Sequence, residues 1–116
     1  MVLITDKYEI EVSRGDSSQE DIEIQFITDD ETPLPEGTIA LVSMAPIKDG
    51  STLWEKRLNV VNNSCSFRLK HKDTSYRSGT YWWDIRLIFD EGTEDEDICT
   101  PFEPHKFIIK EVVGRP

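Results

Sequence analysis

The stretch that most constrains the fold is residues 79–89, Gly-Thr-Tyr-Trp-Trp-Asp-Ile-Arg-Leu-Ile-Phe. Large apolar side chains recur at every second position, and in an extended strand such residues share one face. Side chains of this kind contribute about 1.5–3 kcal/mol each when they are fully buried. The pattern predicts the central strand of a core, with five residues pointing inward: Tyr81, Trp83, Ile85, Leu87 and Phe89.

The opposite face of that strand carries Trp82 and Arg86. The second face of a sheet is either covered or solvated, and tryptophan and arginine are enriched at binding hot spots. We therefore predict Trp82, Arg86 and also Trp54 as contacts for a partner molecule. The alternative is that the two tryptophans pack against neighbouring parts of the same domain.

Shorter alternating segments indicate further strands, near residues 8–12, 22–26, 38–44, 53–58, 65–69, 98–99 and 107–109. The sequence Asn62-Asn63-Ser64 predicts a hairpin between the fourth and fifth of these segments, because asparagine tolerates positive φ. Residues 72–78 predict a short connection with one helical turn. Pro101 and Pro104 place the last strands at an edge or a bulge.

No segment sustains helical periodicity for three turns, and no repeat or linker divides the chain. Residues 1–116 are therefore predicted to form one all-β domain, since domains often span about 100–150 residues. Roughly seven short strands separated by turns favour an immunoglobulin-like antiparallel β-sandwich. A small β-barrel is the alternative architecture.

The charge balance is strongly acidic, at −10 from 23 acidic and 13 basic residues. Such a surface repels phosphate backbones and anionic lipids, so we expect neither nucleic acid nor a membrane as partner. No apolar run reaches the roughly 20 residues of a membrane span. Residues 1–6 lack the features of a signal peptide, so we expect a protein that is not secreted.

Groups that would support catalysis are not found in a convergent pattern. His71 and His105 stand far apart, without a cysteine or second histidine at metal-ligand spacing. There is no glycine-rich phosphate loop and no serine nucleophile elbow. Cys65 and Cys99 are interpreted as free core cysteines, and a Cys65–His71 catalytic pair is disfavoured because Cys65 faces inward. We predict that the chain is not an enzyme and binds no cofactor.

The segment 90–97 contains six carboxylates in eight residues. Bunched charges usually indicate a solvated hairpin tip, and no metal site is predicted. Calcium binds six to eight oxygens, so the minor alternative is a contact with a cation or a basic partner. That alternative would use Asp90, Glu91, Glu94, Asp95, Glu96 and Asp97.

The tetrapeptide Arg14-Gly15-Asp16-Ser17 has the form that integrins recognise, but it also has the composition of a strand-ending turn. Together with residues 32–38, 78–87 and 107–113, it resembles a family of small immunoglobulin-like domains from bacteriophage tail and baseplate proteins. Among these is the N-terminal domain of baseplate upper proteins. The resemblance extends from about residue 8 to residue 113.

The resemblance implies a virion structural or assembly module that docks to other phage structural proteins, including further copies of itself. Such a protein is made in the host bacterial cytoplasm and then enters the virion. No fibre or receptor-binding domain accompanies these segments, so we expect an assembly or connector role. Two alternatives remain: an acidic inhibitor or regulator that imitates nucleic acid, and a carbohydrate-binding module that stacks sugars on Trp54 or Trp82.

Overall fold

A computed structural model describes residues 3–4, 8–28, 32–101 and 103–113. Most of segment 1–6, where no signal peptide was expected, lies outside these residues. The described part is mostly β, as the alternating patterns predict. Its elements are β1 (Leu3–Ile4), β2 (Ile10–Ser13), β3 (Ile22–Gln25), β4 (Ile39–Ala45), β5 (Trp54–Asn59), β6 (Ser64–Phe67), α1 (His71–Thr74), β7 (Gly79–Phe89), β8 (Asp97–Cys99) and β9 (His105–Lys110).

The helix α1 is a single turn within the segment where one turn was expected. In the part of the chain that the structure describes, no helix has the length and apolar character needed to cross a membrane.

The larger sheet has seven strands, six of them in the order β1-β2-β9-β7-β4-β5, while β8 pairs with the far end of β7. The strand with the strongest pattern, β7, therefore lies between β4 and β9. β2 and β9 are parallel, with Ile10 opposite Phe107, so the sheet is mixed and the prediction of a purely antiparallel arrangement is wrong here. Alternation determines which residues face the core but carries no information on the direction of a distant neighbour.

The smaller sheet consists of β3 and β6, with Ile24 opposite Cys65. The hairpin predicted around Asn62-Asn63 is wrong, because β5 pairs with β4 in the larger sheet and β6 belongs to the smaller one. The turn chemistry is confirmed, since Asn62 and Asn63 have φ values of 52° and 58°. This turn carries the chain from one sheet to the other.

Buried side chains from both sheets form one core cluster. Trp83 is 1% exposed, its ring lies 6.4 Å from that of Phe67 on β6, and its Nε1 donates to the Tyr8 carbonyl at 3.0 Å. Of the five inward residues predicted on β7, Trp83, Ile85 and Leu87 are buried. Tyr81 and Phe89 are half-buried and pack against the cluster.

The two cysteines differ in environment. Both are free, and Cys65 is buried in the core cluster. Cys99 is exposed, so its assignment to the core is wrong. It lies on β8, a three-residue strand whose side chains are all exposed. The alternation that surrounds it in the sequence is too short to bury one face.

A buried carboxylate, Asp73, joins α1 to the larger sheet. Its Oδ2 accepts from the Lys70 backbone N–H at 2.8 Å and lies 2.7 Å from Lys56 Nζ. Its carbonyl accepts from Trp54 Nε1 at 3.0 Å. Asp73 is 3% exposed, and these bonds satisfy the groups that burial would otherwise leave without a partner.

The neighbouring turn at residues 14–16 is fastened to the same helix. Gly15, at φ 84°, donates its N–H to the Thr74 carbonyl at 3.1 Å, and the Thr74 hydroxyl donates to the Asp16 carbonyl at 2.6 Å. The Arg14 N–H donates to the Lys110 carbonyl at 2.9 Å. These contacts join the Arg14-Gly15-Asp16 turn to α1 and to the end of β9.

We expect Trp83→Ala to lower the free energy of unfolding by about 3–5 kcal/mol, because it empties a buried site of aromatic size. Trp82→Ala, at the next position but on the other face, is the matched control and should cost about 1 kcal/mol. Urea denaturation followed by circular dichroism measures both changes. Equal losses would contradict the assignment of the two faces.

We expect Asp73→Ala to destabilise the fold by roughly 2–4 kcal/mol, since it leaves Lys56 and the Lys70 N–H without their acceptor. The control is Asp21→Ala, which removes an ion pair with Arg68 of the same 2.7 Å separation. Both of those side chains are more than half exposed, so the loss should stay within about 1 kcal/mol. Thermal denaturation of the two variants should therefore give clearly different melting temperatures.

Candidate functional site

The side of the larger sheet that faces away from the core is called the outer face here. It is formed where β5, β4 and β7 lie next to one another, and paired residues share a side of the sheet. The register aligns their outward side chains in rows across the strands. One row contains Glu55, Ser43 and Asp84, and the next contains Arg57, Leu41 and Arg86.

A cleft of about 440 Å³ opens on this face, between the strands and the loop that joins β4 to β5. The loop residues 47–52 form one wall, and the floor includes Ser43 and Ala45 of β4. From β7 the cleft receives Trp82, Asp84 and Arg86. The structure therefore brings together two of the three predicted contact residues, Trp82 and Arg86.

Trp82 is half-buried, and its ring is covered on one side by a lysine. Lys48 Nζ lies 4.2 Å from the ring centroid, within the range of a cation–π contact. Lys106 of β9 is the cross-strand partner of Trp82. Two lysines therefore lie near Trp82, at the end of the face that is nearest the β4–β5 loop.

Asp84 lies in a partly desolvated position on the same face. Burial raises the pKa of its carboxyl above the ordinary value, and the positive charge of Arg86 opposes that shift. Keeping this carboxylate charged near neutral pH therefore costs stability. Groups with this property cluster at functional sites, although structural networks produce them as well.

Along the strands, the charged side chains of the outer face form four groups that alternate in sign. We call these groups charge bands. The first band is basic, the second acidic, the third basic and the fourth acidic. In that order they consist of Lys48 and Lys106 beside Trp82, then Glu55 and Asp84, then Arg57 and Arg86, and finally the acidic loop 90–97. The Arg57 guanidinium pairs with the Glu91 carboxylate, with Nη1 2.7 Å from Oε2, so the loop bends back toward this face.

Trp54, the third predicted contact residue, lies on the other side of the sheet. It alternates with the outward Glu55 on β5, and its ring packs edge-on against Phe107 with centroids 6.1 Å apart. Its Nε1 is engaged with the Asp73 carbonyl. Trp54 therefore belongs with the inward residues and does not join the Trp82 cleft.

The acidic loop does not gather its carboxylates around a common point. Residues 90–97 are all exposed, and among the residues that the structure describes no group of three or more His, Cys, Asp or Glu side chains could hold a metal ion. Glu91 is engaged with Arg57, which lowers the pKa of its carboxyl. The minor interpretation as a cation-binding loop is not supported by this arrangement.

The possible thiol–imidazole pair is not assembled. Burial raises the pKa of the Cys65 thiol to about 11, which keeps it protonated near neutral pH. His71 is exposed, and its Nδ1 lies 2.7 Å from the Gly15 carbonyl oxygen. His71 therefore helps to hold the 14–16 turn.

Two residues of the cleft, Asp84 and Lys48, were not predicted as site residues from the sequence. Asp84 had a usable signal, because it stands between Trp82 and Arg86 in the period-2 pattern of β7. Lys48 had none, since it comes from a loop whose path over Trp82 depends on the tertiary fold. Comparisons of the chain with family models, curated proteins and solved structures found no match.

Asp84→Asn should raise the melting temperature at neutral pH. A raised folded-state pKa means that the charged carboxylate costs stability above that pKa, and the amide removes this cost. The gain should disappear below the ordinary aspartate pKa, where the carboxyl is protonated in the folded and unfolded states alike. Differential scanning fluorimetry of dilute protein across the acid and neutral range measures it.

Asp95→Asn, in the exposed acidic loop, is the matched control because it removes the same charge from a protein of net charge −10. Its effect on the melting temperature should be small at every pH. A gain for Asp84→Asn that is no larger than the control, or that persists unchanged in acid, would contradict the role of burial at this carboxyl.

Proposed function

We propose that the two sheets pack as an immunoglobulin-like β-sandwich. In such folds a sheet built around three central strands faces a second sheet, and the chain alternates between them. The order β9-β7-β4-β5 in the larger sheet and the separate β3–β6 pair fit that plan. The chain also crosses from β5 in one sheet to β6 in the other through Asn62 and Asn63, whereas a hairpin would have kept both strands in one sheet. This crossing further supports a sandwich.

A tyrosine contact at the start of β7 also supports this fold. The Tyr81 hydroxyl donates to the Arg77 carbonyl at 2.6 Å, four residues upstream. Immunoglobulin domains have a tyrosine corner of this kind two residues before the second cysteine of their disulfide. Here Trp83 stands at that later position, and its buried ring fills the space between the sheets in place of a disulfide.

The function that we propose for this domain is non-enzymatic binding to another protein through the outer face. The single observation that carries it is the placement of Trp82 and Arg86 together at one cleft. Leu41 and Ala45 give the centre of this face an apolar stripe, with charged residues of β5 and β7 on either side. A central apolar area with a charged rim is the usual anatomy of a protein–protein interface.

For the partner we propose other structural proteins of a bacteriophage particle, with this chain as a tail or baseplate assembly module. The support is the resemblance of residues 14–17, 32–38, 78–87 and 107–113 to phage tail and baseplate domains. The rigid tie between the 14–16 turn and α1 is consistent with a strand-end role for that motif. Synthesis in the host cytoplasm followed by entry into the virion belongs to the same proposal.

The two alternative functions receive less support from the outer face. A sugar ring that stacks on the side of Trp82 covered by Lys48 would have to displace that lysine. A nucleic-acid mimic needs a continuous acidic stripe, whereas the acidic groups here are interrupted by Arg57 and Arg86. Protein docking uses both signs of charge and the tryptophan, so we favour it.

Mass spectrometry of complete particles, purified from an infected culture by density gradient, tests this function. We expect the protein in a fixed ratio to the other structural proteins. Trp82→Ala and Arg86→Ala should reduce its incorporation, because both remove side chains from the docking face. Arg68→Ala, at an exposed position just after β6, is the control and should be incorporated normally. Absence of the wild-type protein from complete particles would refute the proposal.

A further inference from the structure

The two middle charge bands occupy adjacent rows of the outer face. Four outward positions of β7 mark the rows: Trp82, Asp84, Arg86 and Ile88. Successive rows are two residues apart, which corresponds to roughly 7 Å along a strand. The row of Asp84 is acidic and the adjacent row of Arg86 is basic, and two such rows are complementary to their own reversed copy.

A rotation of 180° brings a second copy face to face with the first in this reversed sense. The axis lies in the plane of the outer face, runs across the strands and passes midway between the rows of Asp84 and Arg86. It sets Asp84 against the partner's Arg86, and Arg86 against the partner's Asp84. On β5 it sets Glu55 against the partner's Arg57 in the same reciprocal way.

The outer rows match under the same rotation. The rotation keeps each strand on the same flank of β7, so Lys106 of β9 comes to lie opposite the partner's Ile98 of β8, because β9 and β8 pair with the same edge of β7. Trp82 comes to lie opposite the partner's row that contains Ile88, its cross-strand neighbour Ile39 and, on β8, Ile98. Ile98 is 58% exposed in the single chain, so covering it with the aliphatic stem of Lys106 removes apolar surface from water.

We propose that the outer face binds the outer face of a second copy of this chain in a two-fold symmetric dimer. This inference rests on the proposed function, because it names one partner for the same docking face. A contact of this type uses the same patch on both subunits and closes on itself, so association stops at two copies. In a particle, the dimer would be the unit that is incorporated.

The net charge of −10 does not prevent this association. At physiological ionic strength charges are screened beyond about 8 Å, which is close to the spacing of adjacent rows. Each band therefore interacts mainly with the band directly opposite, and the total charge of each copy contributes little. Added salt should weaken the dimer, because screening then acts on the matched bands too.

Analytical ultracentrifugation over a concentration series tests the proposal. The wild-type protein should reach twice its chain mass of 13.4 kDa and no more. Arg86→Glu sets a carboxylate against Asp84 in both copies at once, and Asp84→Arg sets two arginines against each other. Each should weaken dimerisation by about a hundredfold or more, because like charges in an interface cost several kcal/mol. Arg68→Glu, just after β6 and away from the outer face, should leave it unchanged.

The combined variant Asp84→Arg/Arg86→Asp distinguishes a loss of charge pairing between copies from a general loss of folding. Swapping both charges restores attraction between two copies of the variant, so its own dimer should return. A mixture with wild-type protein should form no mixed dimer, since each β7 charge then meets its like. Native mass spectrometry of the two proteins, one isotopically labelled, distinguishes the three species.

The proposal is overturned if the wild-type protein stays monomeric at every soluble concentration. Dimers that Arg86→Glu does not weaken, or swapped chains that mix freely with wild-type chains, overturn it equally. These results are distinguishable from failure of the proposed function. A dimer that is absent from complete particles refutes the virion role alone, and a monomer that is present in them refutes the dimer alone.

Discussion

The contact on which the arrangement of this domain depends is the buried carboxylate of Asp73. It accepts from the Lys70 backbone and from Lys56, while its carbonyl accepts from Trp54. Through these bonds one helical turn holds β5, the edge strand of the larger sheet. β5 supplies Glu55 and Arg57 to the outer face and is aligned by its pairing with β4, so Asp73 on the inner side helps to hold the strand that carries those exposed charges.

Net charge gives a poor description of this surface. A value of −10 suggests uniform repulsion of anything acidic, yet Arg57 and Arg86 share a row and Lys106 lies beside Trp82. Positive and negative side chains fall into separate rows only when the strands are aligned in register. Complementarity of the outer face is therefore a property of tertiary structure, and the charge count alone does not reveal it.

Much of β7 could be predicted from the sequence, because period-2 alternation directly assigns side chains to faces. That rule placed Trp83 inside and Trp82 with Arg86 outside. Trp54 was predicted as a contact without that rule, and its segment is charged on the outward side and only half-buried on the inward side. Alternation could not give the parallel β2–β9 pair or the crossing from β5 to β6, which depend on contacts distant in sequence. Lys48 reached the cleft by a loop path that no local pattern encodes.

The parallel pairing of β2 and β9 has a mechanical consequence. Four residue pairs, from Ile10 with Phe107 to Ser13 with Lys110, align the two strands in the same direction. A pull on the chain ahead of β2 and another beyond β9 would act along the strands in opposite directions. The backbone hydrogen bonds would then be loaded in shear and share the force, whereas in a hairpin they would open one after another. A parallel pair of this kind therefore resists such a pull without its hydrogen bonds opening one at a time.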